Sequence, residues 1–252
     1  AVHKGRLYRA FEDNSPLDWP NGFRACVISA PLDADLLDAA NWRLSEKLPF
    51  DPAWVARHAP PRGFDKAGWL EGNVVAGPEG DLYNVLRVNA RSSATTHTPS
   101  GESRPHELWN KAALVKVQDE GRKLTFDPET GFIDLPGGHS KFTIRRDPVT
   151  GSYLTLSNGV QDEAHPSLRS VLRLYASADL RHWRACTTLL EDDSGLSWEH
   201  SAALTGFQYV DWHFDGEDLI CLVRTAYDGA HNFHDANRIT FHRLRDYPEF
   251  IT

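Results

Sequence analysis

The chain has no methionine, only three cysteines, no basic run and no long apolar run, and each shortage removes a class of function. Cys26, Cys186 and Cys221 lie in apolar, strand-like segments without C-x-x-C or other metal spacing, so no metal site is expected from them. Three is an odd number, which excludes a complete disulfide framework; they read as buried thiols. No stretch approaches the roughly 20 apolar residues of a membrane span. A net charge of −8 without clustered Lys or Arg argues against nucleic-acid binding. Ala1 opens the chain without a signal peptide, so the N-terminus is expected to be processed or truncated.

Aromatic residues are plentiful: eight Trp, seven Tyr and twelve Phe. All-β folds and sugar-binding surfaces both favour them. A glycine turn between two strand-like segments recurs at Lys4-Gly5-Arg6, Glu79-Gly80-Asp81, Thr150-Gly151-Ser152 and Asp215-Gly216-Glu217, with the glycines 75, 71 and 65 residues apart. A strand–turn–strand unit at a nearly fixed period is the signature of a β-propeller blade. The expected fold is therefore all-β, a propeller of four-stranded antiparallel blades. About five or six blades are expected when complete and about four here.

One domain over 1–252 is expected: a partial blade at 1–64, then blades at about 65–130, 131–195 and 196–252. Leu7–Phe11 has no room for an inner strand before it, so an N-terminal segment or a further chain is expected to complete the ring.

Polar groups end the apolar hairpins. Glu12, Arg87, Asn158 and Arg224 close the second strands, Arg224 with a one-residue offset, while Glu71, Lys141 and Asp211 stand at the inner strands opposite. A hairpin returns its second strand to the level where the first began, so Glu71 and Arg87 are expected to be neighbours. In Tyr209-Val210-Asp211-Trp212-His213, alternation puts Tyr209, Asp211 and His213 on one face. An aspartate in so apolar a strand is costly unless hydrogen-bonded or functional.

Twelve histidines are present. Glu199-His200 and His231-Asn232-Phe233-His234-Asp235 read as loop segments flanking the last hairpin, where a His–carboxylate pair can serve as a base near neutral pH. No third ligand accompanies His231 and His234, so no metal is expected there. His97 and His106 lie in a long Ser/Thr/Pro-rich loop that suits a pocket wall.

Ser177-Ala178-Asp179-Leu180-Arg181-His182-Trp183 resembles the degenerate Asp box of the sialidase-like (BNR/Asp-box) β-propeller superfamily. There the Asp would accept turn N–H bonds and the Trp would pack between strands. Glu71 and Arg87, sixteen residues apart, resemble that family's strand-leading Glu and carboxylate-clamping Arg. The resemblance, nearest to bacterial exo-α-sialidase-like proteins, implies an exo-acting glycoside hydrolase on an acidic oligosaccharide or polysaccharide, secreted or periplasmic and without a cofactor.

On that reading Glu71, Asp211, His234 and Asp235 are catalytic candidates. Arg87, Lys141, Asn158, Tyr209, Arg224 and His200 are candidates for binding substrate. A propeller polysaccharide lyase acting on uronate-containing glycan and a non-catalytic glycan-binding propeller are the alternatives. Fold alone does not choose among them.

Overall fold

The computed structural model describes residues 1–58, 64, 66–91, 108–162 and 165–251. The His97 and His106 candidates lie outside the described residues. The fold class is the expected one: all-β, of β-propeller type, built from four antiparallel sheets. Two compact units divide the chain, the first carrying two sheets up to Asp134 and the second carrying two from Leu135 onward. No helix among the described residues is long and apolar enough to cross a membrane.

In the first unit, one sheet holds β1 (Val2–His3), β2 (Arg6–Asp13), β3 (Arg24–Pro31) and β4 (Arg43–Leu44) in that order, with β5 (Leu48–Pro49) also on β3. The two residues before the Gly5 turn do pair with β2, Val2 opposite Leu7, so a short inner strand exists where none was expected. The other sheet places β6 (Lys66–Ala76), β7 (Leu82–Arg91) and β8 (Lys111–Gln118) side by side. Short β9 (Lys123–Thr125) and β10 (Phe132–Asp134) both pair with β8.

In the second unit, β11 (Ile144–Arg146), β12 (Tyr153–Ser157), β13 (Val171–Ser177) and β14 (Arg184–Glu191) form a four-stranded meander. Helix α1 (Trp198–Leu204) precedes the three-stranded sheet of β15 (Gly206–Asp215), β16 (Asp218–Ala226) and β17 (Arg238–Leu244), and α2 (Pro248–Ile251) follows it.

The four repeated turn glycines share one backbone state. Gly5, Gly80, Gly151 and Gly216 have φ of 74°, 81°, 76° and 64°, a left-handed region open to glycine at no steric cost. A second kind of turn recurs around an aspartate. Asp127 and Asp147 each open a D-P-x-T-G turn, accepting from the backbone N–H two residues on (3.0 Å in both) and from the Thr hydroxyl (2.7 and 2.5 Å). Asp179 works likewise, accepting from the N–H groups of Arg181 and His182 at 2.8 Å, while Trp183 Nε1 donates to the Leu180 carbonyl. The hydrogen bonds on Asp179 outweigh its burial and hold its carboxyl far below the usual range.

Each unit packs its own core. In the first, fully buried Trp69 meets Phe50 and Phe126 edge-on at 4.7 and 5.2 Å between centroids, and Trp54 adds a tilted ring. In the second, fully buried Trp212 packs on Phe214 and donates through Nε1 to the Thr143 carbonyl at 2.8 Å. Burying one such side chain stabilises by roughly 2–3 kcal/mol. Cys26 and Cys221 are buried free thiols as expected, Cys186 is half-buried, and burial pushes Cys221 up to about 11.

Candidate functional site

Both inner strands that carry candidate residues are interrupted by a bulge at the same relative place. In the first unit, Trp69 pairs with Val88 and Gly72 with Leu86, so Leu70 and Glu71 stand opposite Arg87 alone. In the second, Gln208 pairs with Arg224 and Asp211 with Leu222, so Tyr209 and Val210 stand opposite Val223. A bulge breaks the two-residue alternation and re-aims the side chains on it. Arg87 stands opposite the first bulge, whereas Arg224 lies one residue past the second, opposite Gln208.

In the first unit the bulge joins Glu71 to Arg87 in an ion pair; the Arg87 side chain is 7% exposed and that of Glu71 29%. Glu12, closing β2 of the neighbouring sheet, accepts from the Gly72 N–H through Oε1 at 3.2 Å. Two carboxylates and one guanidinium therefore gather around the β6 bulge. Hairpin register alone pairs Glu71 with Arg87 and makes Glu12 a strand end; that Glu12 reaches the next sheet is visible only in the fold.

In the second unit the bulge turns Tyr209 into a left-handed conformation, φ 53°, and Arg224 lies over its ring at 4.3 Å. Arg224 also donates to the His234 carbonyl at 2.7 Å and lies 3.4 Å from His234 Nε2. Its Nε is buried and has no hydrogen-bond partner among the described residues. Gln208 Nε2 bridges the Phe233 and His234 carbonyls at 2.7 and 2.9 Å, and its Oε1 accepts from Arg169, whose guanidinium stacks on Phe233. Asp235 receives His234 Nδ1 at 3.2 Å and His231 Nε2 at 3.0 Å. Hydrogen bonds from Asn232 first, then His234, hold the Asp235 carboxyl below its ordinary range.

Asn158 is buried, its Nδ2 given to the carbonyls of Val171 (2.8 Å) and Phe207 (2.9 Å), so it ties β12 to the starts of β13 and β15. Asp211 points away from the Arg224 cluster: it is 67% exposed and ion-paired with Arg145 of β11 at 2.9 Å. Beyond the bulge only Asp211 and His213 keep the shared exposed face expected for them; Tyr209 is half-buried. Lys141 is half-buried just before β11. Glu199 and His200 sit in the first turn of α1 rather than in a loop, and His200 Nδ1 lies 2.9 Å from the Ser197 hydroxyl at the helix start. A Ser before Trp-Glu-His-Ser-Ala-Ala-Leu is a legible helix start, since an N-cap residue precedes good helix formers.

Arg145, Arg169, Gln208 and Phe233 join these clusters without a strong sequence signal. An Arg-Arg pair ending β11 and a lone Gln in an apolar strand were the available signals. Among the described residues no group of three or more His, Cys, Asp or Glu could hold a metal ion.

No protein-family model matches the chain, and no curated protein matches it by sequence. Solved structures do match in fold. The Bombyx mori GH32 β-fructofuranosidase is 16% identical, with a TM-score of 0.57, over 99% of this chain and 46% of its own. A substituted form of the Microbacterium saccharophilum K-1 β-fructofuranosidase is 11% identical, TM-score 0.55, over 99% of this chain and 56% of its own. A Dyadobacter fermentans protein of unknown function is 11% identical, TM-score 0.51, over 96% of this chain and 63% of its own. The chain thus spans about half to two thirds of the length of these structures, and the likeness establishes the propeller fold.

Proposed function

We propose that the protein is a glycoside hydrolase, and in its finer detail an exo-acting, sialidase-like one that prefers an acidic glycan. The observation that carries the hydrolase reading is the pair of carboxylates, Glu71 and Glu12, that meets at the β6 bulge. Glycosidic cleavage needs two such groups, one protonating the departing oxygen and one acting as base or nucleophile. Glu71, with the Arg87 guanidinium on it, is the group kept as carboxylate. Glu12, whose Oε1 accepts from the Gly72 backbone N–H, supplies the second carboxyl group. Two of the fold matches, the β-fructofuranosidases, are enzymes that cut glycosidic bonds, which supports the same class.

Binding of an acidic sugar by the second unit, considered by itself, is supported by Arg224, whose Nε has no acceptor among the described residues while its plane is fixed on Tyr209. A planar guanidinium suits a carboxylate better than an ammonium does.

The test is to incubate the protein with sialylated, uronate-containing and neutral oligosaccharides and weigh the products. Products heavier by one water, from acidic substrates and lost in Glu71→Gln, are expected. Unsaturated uronate products would replace this reading with a lyase. Binding without turnover across the panel would replace it with a glycan-binding propeller.

A further inference from the structure

At the glycine-turn end of the first unit, away from the β6 bulge, a cavity of about 410 Å³ opens among the start of β2, the Gly80 turn and residues 116–121. Arg6 lines it and is 91% removed from solvent, at 9% exposure. Its outer nitrogen donates to the Ser29 hydroxyl at 3.3 Å, while its Nε is buried without a hydrogen-bond partner among the described residues. A buried donor left unmet is costly, so a guanidinium in this state calls for an acceptor.

The carboxylates around the cavity are already engaged. Lys116 holds Asp81 at 2.9 Å, Arg122 holds Asp119 at 3.4 Å, and Arg43 holds Glu120 at 2.8 Å, leaving Arg6 a longer 3.7 Å approach to that same oxygen. Lys4 lines the cavity too and makes no ion pair among the described residues. The cavity lining holds three cations, Lys4, Arg6 and Lys116, and three carboxylates, each of the latter already engaged by Lys116, Arg122 or Arg43. The wall is also built at a conformational cost. Asp119, Glu120 and Gly121 are three successive left-handed residues, φ 48°, 53° and 89°. A Cβ on Gly121 would come within 2.9 Å of the Ser29 Oγ that receives Arg6. Strained turns persist where surrounding structure over-determines them, often around ligand clamps.

We propose that this cavity is a binding site for an oxyanion, the carboxylate or phosphate group of a small ligand, held by Arg6 with Lys4 at its mouth. The site is separate from the hydrolase reading and does not depend on it.

The experiment is calorimetric titration of the whole chain with inorganic phosphate, with glucuronate and with glucose. Saturable binding of phosphate or glucuronate, and none of glucose, is expected. The tighter of the two identifies whether a phosphate or a sugar carboxylate is the natural group. Arg6→Gln and the exposed-site variant Lys4→Glu are each expected to weaken binding at least tenfold, and Glu71→Gln to leave it unchanged. Should Arg6→Gln fail to fold, Lys4→Glu alone decides. Absence of saturable anion binding, or unchanged affinity in Lys4→Glu, overturns the proposal; loss of binding in Glu71→Gln would do the same by placing the anion at the bulge.

Discussion

Arg224 lies 4.3 Å from the ring centroid of Tyr209, and Tyr209 reaches that position only through a left-handed backbone at the β15 bulge. The stack fixes the guanidinium plane and leaves Nε pointing at no protein acceptor among the described residues. Arg224→Lys keeps the charge and discards the plane. Lysine is expected to weaken binding of an acidic sugar about tenfold, near 1.4 kcal/mol, because it meets a carboxylate only as a point charge. Tyr209→Ala is expected to cost about 1 kcal/mol of stability through the lost cation–π contact. Calorimetric titration with an acidic oligosaccharide and urea unfolding check the two; an unchanged affinity in Arg224→Lys would remove Arg224 as a carboxylate ligand.

Glu71→Gln is nearly isosteric and keeps a hydrogen-bond acceptor for Arg87, yet it removes the countercharge of a guanidinium that is 7% exposed. Breaking a fully buried pair costs about 3–5 kcal/mol; Glu71 is partly exposed, so about 2 kcal/mol is expected here. Activity is expected to fall far more, by at least about 100-fold, since a positioned acid or base contributes about 10²–10⁴. Asp211→Asn, at a carboxylate 67% exposed and paired on the surface, is expected to change stability by less than about 1 kcal/mol and to leave turnover intact. If both variants lose activity in proportion to stability, Glu71 is a structural residue.

What was legible in the sequence is what is local. The Gly5, Gly80, Gly151 and Gly216 turns announce themselves because left-handed φ is a property of one residue, and hairpin register then brings Glu71 beside Arg87. What escaped is long-range or depends on a register slip. Glu12 meets Gly72 across two sheets, and Arg145 meets Asp211 across another two. The β15 bulge changes the face of Tyr209, which alternation alone assigns to the side of Asp211. No periodicity in a single chain encodes where a bulge falls.

The turn glycines permit a graded test of backbone cost. A Cβ at Gly80 would meet nothing within 4 Å, so Gly80→Ala isolates the penalty of φ 81°, about 1–2 kcal/mol. Gly121→Ala carries a similar dihedral penalty and adds a 2.9 Å approach to Ser29 Oγ, so it is expected to cost more. At roughly 2–4 °C per kcal/mol for a chain of this size, thermal unfolding separates the two. Equal losses would mean that Ser29 yields without cost.

Asp147 and Tyr247 set opposite limbs of the stability profile. Asp147 is 1% exposed; burial pushes its carboxyl up, but hydrogen bonds from Thr150, Val149 and Tyr247 outweigh it and leave it below the ordinary range. A depressed carboxyl means the unfolded chain binds more protons, so this stability is present above the unfolded value, about 3.9, and is lost as pH falls through the folded one. Tyr247 donates to Asp147 at 3.0 Å, and burial followed by that bond raises it to about 12. Its contribution is full below the unfolded value of 10.0 and is lost as pH rises from there through the folded one. Asp147→Asn is therefore expected to flatten the acid limb and to cost on the order of 2 kcal/mol at neutral pH, as charged hydrogen bonds do. Tyr247→Phe is expected to flatten the alkaline limb above about pH 10 and, by removing one of the bonds that depress Asp147, to soften the acid limb as well. Melting temperatures between pH 3 and 11 decide it: an acid limb unchanged in Asp147→Asn would shift the titration to other depressed carboxylates, Asp179 foremost among them and Asp13, at about 2, next.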